Sequence, residues 1–238
     1  MSTPFFYIGS NYGDIEELTL DEDTSRHIVQ VLRMKIGEKI KLSDGKGNLL
    51  NCVITGDHKR HCNVRVESIN KSQKSPKKVL IGISLLKNAN RFEWFLEKAT
   101  ELGVDEIIPL LCDRTEKEKF RHDRLHGILV SAMLQSQQGW LPLMHEPIAF
   151  DLLFRMEEVA GASQKFIAHC SDAEKRDLSK SVDPAAHSRI ILIGPEGDFT
   201  AKEIETAISC KFLPVSLGEN RLRTETAGVV AATILRIL

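Results

Sequence analysis

Arg189-Ile-Ile-Leu-Ile-Gly-Pro-Glu-Gly-Asp-Phe-Thr200 and Pro214-Val-Ser-Leu-Gly-Glu-Asn-Arg-Leu-Arg-Thr-Glu-Thr226 decide how this chain is read. Each is an apolar run, then a Gly-containing turn, then the start of a helix. In the first, Thr200 and Glu203 stand at capping-box spacing, which specifies where the helix begins. Gly194 and Gly197 permit positive φ and close backbone approach, and Pro195 stiffens the turn. In the second, Glu219, Arg221, Arg223 and Glu225 crowd a turn leading into residues 226–238, which are almost wholly apolar. A helix that apolar is buried in a core or a subunit interface. Charges at its mouth need partners, either one another or a ligand. Both turns leave the carboxyl end of a strand, where open α/β sheets bind ligands, and two such crevices side by side make one pocket.

Working outward, residues 79–238 alternate strand and helix. Apolar runs at 79–86, 106–111, 165–168, 189–193 and 212–217 read as strands, the first buried on both faces. A helix is predicted over 91–102, with Phe92, Phe95, Leu96 and Ala99 on one stripe and Gly103 as its left-handed stop. Another is predicted over 125–137, ended by Gly139 and Pro142. The alternation predicts a mostly parallel sheet covered by helices. Residues 1–70 follow a different pattern. Period-two alternation at 38–43, 49–55 and 63–69 surrounds a Gly- and Asn-bearing turn at 44–48. One helix, capped by Thr24 or Ser25, carries Ile28, Val31 and Leu32 on its inner face. Short strands around one small helix predict a compact β-barrel. Residues 71–78 form a polar, basic, Pro-containing linker, so the expected domains are 1–70 and 79–238.

A length of 238 residues suits two domains, and 42% apolar with 27% charged residues describes a globular chain with a real core. No stretch approaches the ~20 apolar residues of a membrane span, and the amino terminus lacks the pattern of a signal peptide. A cytoplasmic location is the expectation. The five cysteines are scattered and odd in number, which argues for reduced thiols. Net charge is −1, yet residues 24–78 carry thirteen Lys and Arg against four acids, after the acidic run Asp14, Glu16, Glu17, Asp21, Glu22, Asp23. Such a run is either a solvated face or a phosphate-binding surface. His122 and His126 have a zinc-compatible spacing without a third ligand, so no metal is expected. Gly45-Lys46-Gly47 fits neither nucleotide-loop pattern.

The two turns together resemble the RsmE family, ribosomal RNA uridine-N3 methyltransferases of the SPOUT class. Leu192-Ile-Gly-Pro-Glu-Gly197, Leu217-Gly218 and Leu222-Arg-Thr-Glu-Thr226 are similar to the family's cofactor region. Lys87, Arg91 and Glu97-Lys-Ala-Thr-Glu-Leu-Gly-Val104 are similar to its first helix. His27-Ile28, Val31-Leu-Arg-Met-Lys-Ile-Gly37 and Asp44-Gly-Lys-Gly47 look like its PUA-like barrel. One departure stands out. Many members carry Gln-Ser-Gly-Arg-x-Arg before a Pro, whereas this chain has Gln135-Ser-Gln-Gln-Gly-Trp-Leu-Pro142, without either arginine.

The resemblance implies an α/β, SPOUT-type trefoil-knotted parallel-sheet domain preceded by a PUA-like β-barrel that grips RNA. It implies S-adenosylmethionine held by Ile193, Gly194, Gly197, Leu217, Gly218 and Leu222, with Thr224 nearby. It further implies a homodimer through the knotted domain, and 16S rRNA, within the 30S subunit, as substrate. The ionisable groups beside the turns then suggest roles: Arg223 for the developing uracil oxyanion, and Glu225 or Glu196 as proton acceptor. The alternative is that Arg223 pairs with Glu225 or Glu196 and only shapes the loop. Arg26, Arg33, Lys35, Lys87 and Arg91 are the candidate RNA contacts, with steep salt dependence as their signature. Rival functions are methylation of another RNA position and RNA binding without catalysis.

Overall fold

The computed structural model describes residues 3–9, 16–116, 119–171 and 175–238; Asp14 of the acidic run lies outside them. The chain divides into two compact units, residues 1–74 with 133–141, and residues 75–132 with 142–238.

The first unit holds β1 (Phe5–Tyr7), β2 (Glu17–Thr19), α1 (Glu22–Arg26), β3 (Lys39–Ser43), β4 (Asn48–His58) and β5 (His61–Lys71). They form one five-stranded sheet in the order β1-β3-β4-β5-β2, antiparallel except for β1 against β3. Period two puts Ile40, Leu42, Leu50, Cys52, Ile54 and Val64 on one face, where they enclose a single core with Ile28. The helix differs from the sequence expectation. Asp21 caps it, accepting the Thr24 N–H at 2.9 Å, and a π-helical turn, His27–Val31, follows. The wider turn shifts the side-chain stripe, so Ile28 is buried while Val31 and Leu32 are exposed.

Residues 133–141 return to this unit, which composition alone gives no reason to expect. Gly47 donates to the Gly139 carbonyl and Leu141 to the Gly45 carbonyl, both at 2.8 Å. The Trp140 indole donates to the Ser72 carbonyl at 3.1 Å, and Lys74 Nζ lies 4.8 Å over its ring. Gly47, at φ 91°, has no room for a Cβ beside that ring. The position without the family's arginine is thus filled by an aromatic plug against the 44–48 turn.

The second unit is a parallel α/β structure: β6 (Lys78–Ser84), α2 (Ala89–Glu101), β7 (Glu106–Leu111), α3 (His122–Gln135), β8 (Leu143–Met144), β9 (Ile148–Ala149), α4 (Phe150–Leu153), α5 (Glu157–Ala160), β10 (Gln164–Ala168), β11 (Arg176–Asp177), α6 (Leu178–Ser181), β12 (Ser188–Ile193), α7 (Ala201–Ser209), β13 (Leu213–Ser216) and α8 (Thr224–Ile237). The strand order is β11-β13-β10-β12-β6-β7-β8, with β9 also on β7, and every ladder is parallel. This is the predicted strand–helix alternation, and Gly103 stops α2 at φ 76°. α8 lies close against α2, because a Cβ on Gly228 would come within 2.6 Å of the Phe95 ring. The guanidinium of fully buried Arg189 ties its far end, donating to the Leu235 and Asp183 carbonyls at 2.7 Å each.

Candidate functional site

The order β13-β10-β12 places three neighbouring carboxyl ends together. There a cleft of about 580 Å³ opens, walled by both Gly-containing turns and by the residues after β10. Its position and size are those of a ligand site in an open α/β sheet.

The first turn, 194–200, is braced on every side. Asp198 donates its N–H to the Pro195 carbonyl at 2.9 Å, and its carboxylate accepts the Cys170 and Phe199 N–H groups at 2.8 Å. Arg114 donates to the Gly197 carbonyl at 2.7 Å. The capping box is complete. Glu203 accepts the Thr200 N–H at 2.8 Å and returns its own N–H to Thr200 Oγ1. Its second oxygen accepts the Asp113 N–H at 2.9 Å. Neither Gly194 nor Gly197 uses the positive φ that glycine permits; Asp198 takes the left-handed conformation, at φ 64°. Asp tolerates that region because its side chain bonds locally. Gly194 is needed for space, since its Cβ would stand 3.1 Å from the Phe199 nitrogen and ring.

The second turn is loosely tied. Gly218, at φ 126°, is held by Ser216 Oγ, which donates to its carbonyl at 2.9 Å and accepts its N–H at 3.2 Å. Glu219, Asn220, Arg221 and Arg223 are exposed, and Arg223 is the N-cap of α8 without a side-chain cap bond.

Ile193, Gly194, Leu217, Gly218, Leu222 and Thr224 all line the cleft. Gly197 is not among its lining residues; Arg114 covers it. Arg223, Glu196 and Arg91 line it too. Glu225 does not. It is buried, with Oε1 3.6 Å from Arg91 Nε and Oε2 without a hydrogen-bond partner among the described residues. Among the described residues no ion pair joins Arg223 to Glu225 or Glu196, so the paired-loop alternative gives way to a longer-range partner, Arg91. Glu196 accepts the Lys87 N–H at 3.2 Å, and Lys87 Nζ meets Glu116 at 2.6 Å, a bond that raises the lysine's pKa. Arg26, Arg33 and Lys35 belong to the other unit. There Arg26 is bonded to Glu22 at 2.8 Å, while Arg33, at φ 56°, has no ion-pair partner among the described residues.

The sequence reading missed the third wall: Ala168, His169, Cys170 and Lys175, with Asp198 bonded to it through the Cys170 N–H. Lys175 Nζ donates to the His169 carbonyl, and Ser171 Oγ meets His169 Nδ1, both at 2.8 Å. Burial first, then the Lys175 charge, hold the imidazole pKa below its usual value, with Asp198 acting the other way. The available signal was the carboxyl end of β10. Its adjacency to β12 and β13 follows only from the strand order.

The model of the RNA methyltransferase domain matches residues 73–236, and that of the RNA methyltransferase PUA domain matches residues 20–67. The chain belongs to the RsmE family of RNA methyltransferases. A ribosomal RNA small subunit methyltransferase E of Mesomycoplasma hyopneumoniae is 30% identical over 71% of this chain and 73% of its own. A crystal structure of a probable rRNA-methyltransferase from Porphyromonas gingivalis is 36% identical, with a TM-score of 0.87 over 96% of this chain and 95% of that one. A ribosomal RNA small subunit methyltransferase E from Neisseria gonorrhoeae, solved with S-adenosyl methionine bound, is 28% identical, with a TM-score of 0.85 over 97% and 95%. The fold class is accordingly SPOUT-type α/β with an amino-terminal PUA domain.

Proposed function

We propose that this protein methylates N3 of a uridine in 16S rRNA of the small ribosomal subunit, with S-adenosylmethionine as methyl donor. The observation that carries the reading is the meeting of both family turns in one cleft, where Gly194 lets the first turn close tightly on Phe199 and so holds that wall in place. Ile193, Gly194, Leu217, Gly218, Leu222 and Thr224 would hold the donor, which supplies an electrophilic methyl group when bound. Gly197 acts indirectly, by anchoring its turn through Arg114.

At the uracil, N3 gives up its proton as it becomes methylated, and negative charge develops on the flanking carbonyl oxygens. Glu196 is the better acceptor for that proton, because it is exposed at the cleft whereas Glu225 is buried behind Arg91. Arg223, exposed at the same rim, stabilises the oxyanion. Glu225 positions Arg91. The amino-terminal domain grips RNA through Arg33 and Lys35, with Arg26 partly neutralised by Glu22, and Lys87 and Arg91 contribute from the catalytic domain.

The same reading includes a trefoil knot around the site, action in the cytoplasm on the 30S particle, and a homodimer through the catalytic domain. Exposed Trp94 on α2 and Ile237 on α8 suit such an interface. Calorimetric titration with S-adenosylhomocysteine, followed by mass mapping of nucleosides from 30S particles treated with enzyme and donor, tests the proposal. Binding together with 3-methyluridine is expected. A different methylated nucleoside would move the target, and the absence of both S-adenosylhomocysteine binding and methylation would overturn the reading.

A further inference from the structure

The first turn of α2 separates two concavities. Arg91 lines the donor cleft, whereas Ala89, Asn90, Phe92 and Glu93 line a second groove of about 290 Å³. The ends of β6 and α3 complete it. Its floor is apolar, from Leu85, Leu86 and buried Phe92, and half-buried Phe120 forms one wall. Its rim is basic. Arg124 is locked by two bonds to Glu93, at 2.6 and 2.9 Å, which fixes a guanidinium at one end. Lys119 and Arg121 are exposed, and neither has an ion-pair partner among the described residues.

We propose that this groove binds a nucleotide of the RNA strand next to the one that reaches the donor cleft. The inference rests on the functional reading above and extends it with a second subsite. An aromatic wall offers a face for a base, and unpaired cations at the rim can engage phosphates, the combination by which single strands are held. The volume is that of a small ligand pocket and suits one base rather than a partner helix. Asn90 and Phe92 of the groove flank Arg91 of the donor cleft in one helical turn, so neighbouring nucleotides of one strand can reach both.

The test uses the whole protein, saturated with S-adenosylhomocysteine, and a fluorescent single-stranded 20-nucleotide oligouridylate followed by anisotropy. Phe120→Ala should weaken binding roughly tenfold, the size of one base–aromatic stack. The double variant Lys119→Ala/Arg121→Ala should lower the log–log salt slope by about 0.7 for each phosphate that it no longer neutralises. Both residues are exposed, so this variant also guards against a folding defect in the first. With 30S substrate, Phe120→Ala should raise KM while leaving kcat within about threefold. S-adenosylhomocysteine affinity should be unchanged in both variants, which separates failure of the groove from failure of the donor cleft. Wild-type oligouridylate affinity and salt slope in both variants would overturn the proposal. So would a change of oligomeric state in sedimentation without a change in RNA binding, which would give the groove to a second copy of the chain.

Discussion

The two turns of the cleft are alike in sequence grammar and opposite in construction. The 194–200 turn is held by Asp198, Arg114, Glu203 and a complete capping box, with side chains supplying most of the bonds. The 217–223 turn has Ser216 and little else, and its charged residues point to solvent. One wall is therefore prebuilt, and the other can settle around what enters. A rigid wall lowers the ordering cost of binding a small ligand. A sparsely bonded polar wall suits a large partner that arrives later and must be released.

Perturbing the braced wall should have the larger consequence. Gly194→Val pushes side-chain atoms into the Phe199 nitrogen and ring. Overpacking of this kind costs about 1–3 kcal/mol of stability. Displacement of the wall should lower S-adenosylhomocysteine affinity about a hundredfold, or about 3 kcal/mol by calorimetry. An unchanged affinity would mean that the ligand does not lie against this turn. Next in size is Glu203→Ala, which removes the carboxylate half of the capping box and takes the acceptor from the Asp113 N–H. The expected loss is about 2 kcal/mol. In a chain of this size that lowers the melting temperature by about 4–8 °C. Asn220→Ala in the loose wall should stay within about 0.5 kcal/mol of wild type. Equal losses at the two sites would remove the contrast between the walls.

Much of the braced wall was legible, because its determinants are local. Thr200 and Glu203 stand three residues apart, and Gly103 follows its own helix. Long-range partners were not legible. Arg114 reaches Gly197 across 83 residues, and Arg91 rather than Arg223 meets Glu225. Strand order decides which carboxyl ends converge, so His169 and Cys170 carry no visible role until β10 is seen beside β12 and β13. The amino-terminal helix shows the opposite failure. Its apolar spacing is a true helical pattern, but one π-helical turn moves Val31 and Leu32 to the surface. Trp140 illustrates a third case. Its departure from the family pattern is plain, while its work as a plug against Gly47 depends on residues 133–141 grouping with the first unit.

A chemical probe of the third wall should give an effect of about tenfold. Cys170 is exposed and lines the cleft, whereas Cys52, Cys62 and Cys112 are buried. Burial pushes the Cys112 thiol up to about 12 and that of Cys52 up to about 11, so neither reacts as thiolate near pH 8. Iodoacetamide should label Cys170 first, and saturating S-adenosylhomocysteine should slow that labelling at least about tenfold while leaving Cys210 unaffected. Peptide mass mapping reads both rates. Equal slowing at Cys210 would indicate general tightening rather than occupancy of the cleft.

The smallest effect is a change of slope, and it links the braced turn to the wall beside it. The His169 pKa is lowered in the folded protein, by burial first and then by Lys175, with Asp198 of the braced turn opposing them. An unfolded chain takes up this proton near pH 6.5. Below that pH the unfolded state binds more protons than the folded one, so this contribution to stability is complete above about 6.5 and is lost as pH falls towards the folded value. Between pH 7.5 and 5.5, His169→Gln should therefore lose less stability than wild type in urea melts. Asp198→Asn removes the opposing charge, so the folded pKa drops further and the pH-dependent loss deepens. If all three proteins follow the same slope, His169 titrates as it does in the unfolded chain. The two walls would then be independent at the site where Asp198 now joins them.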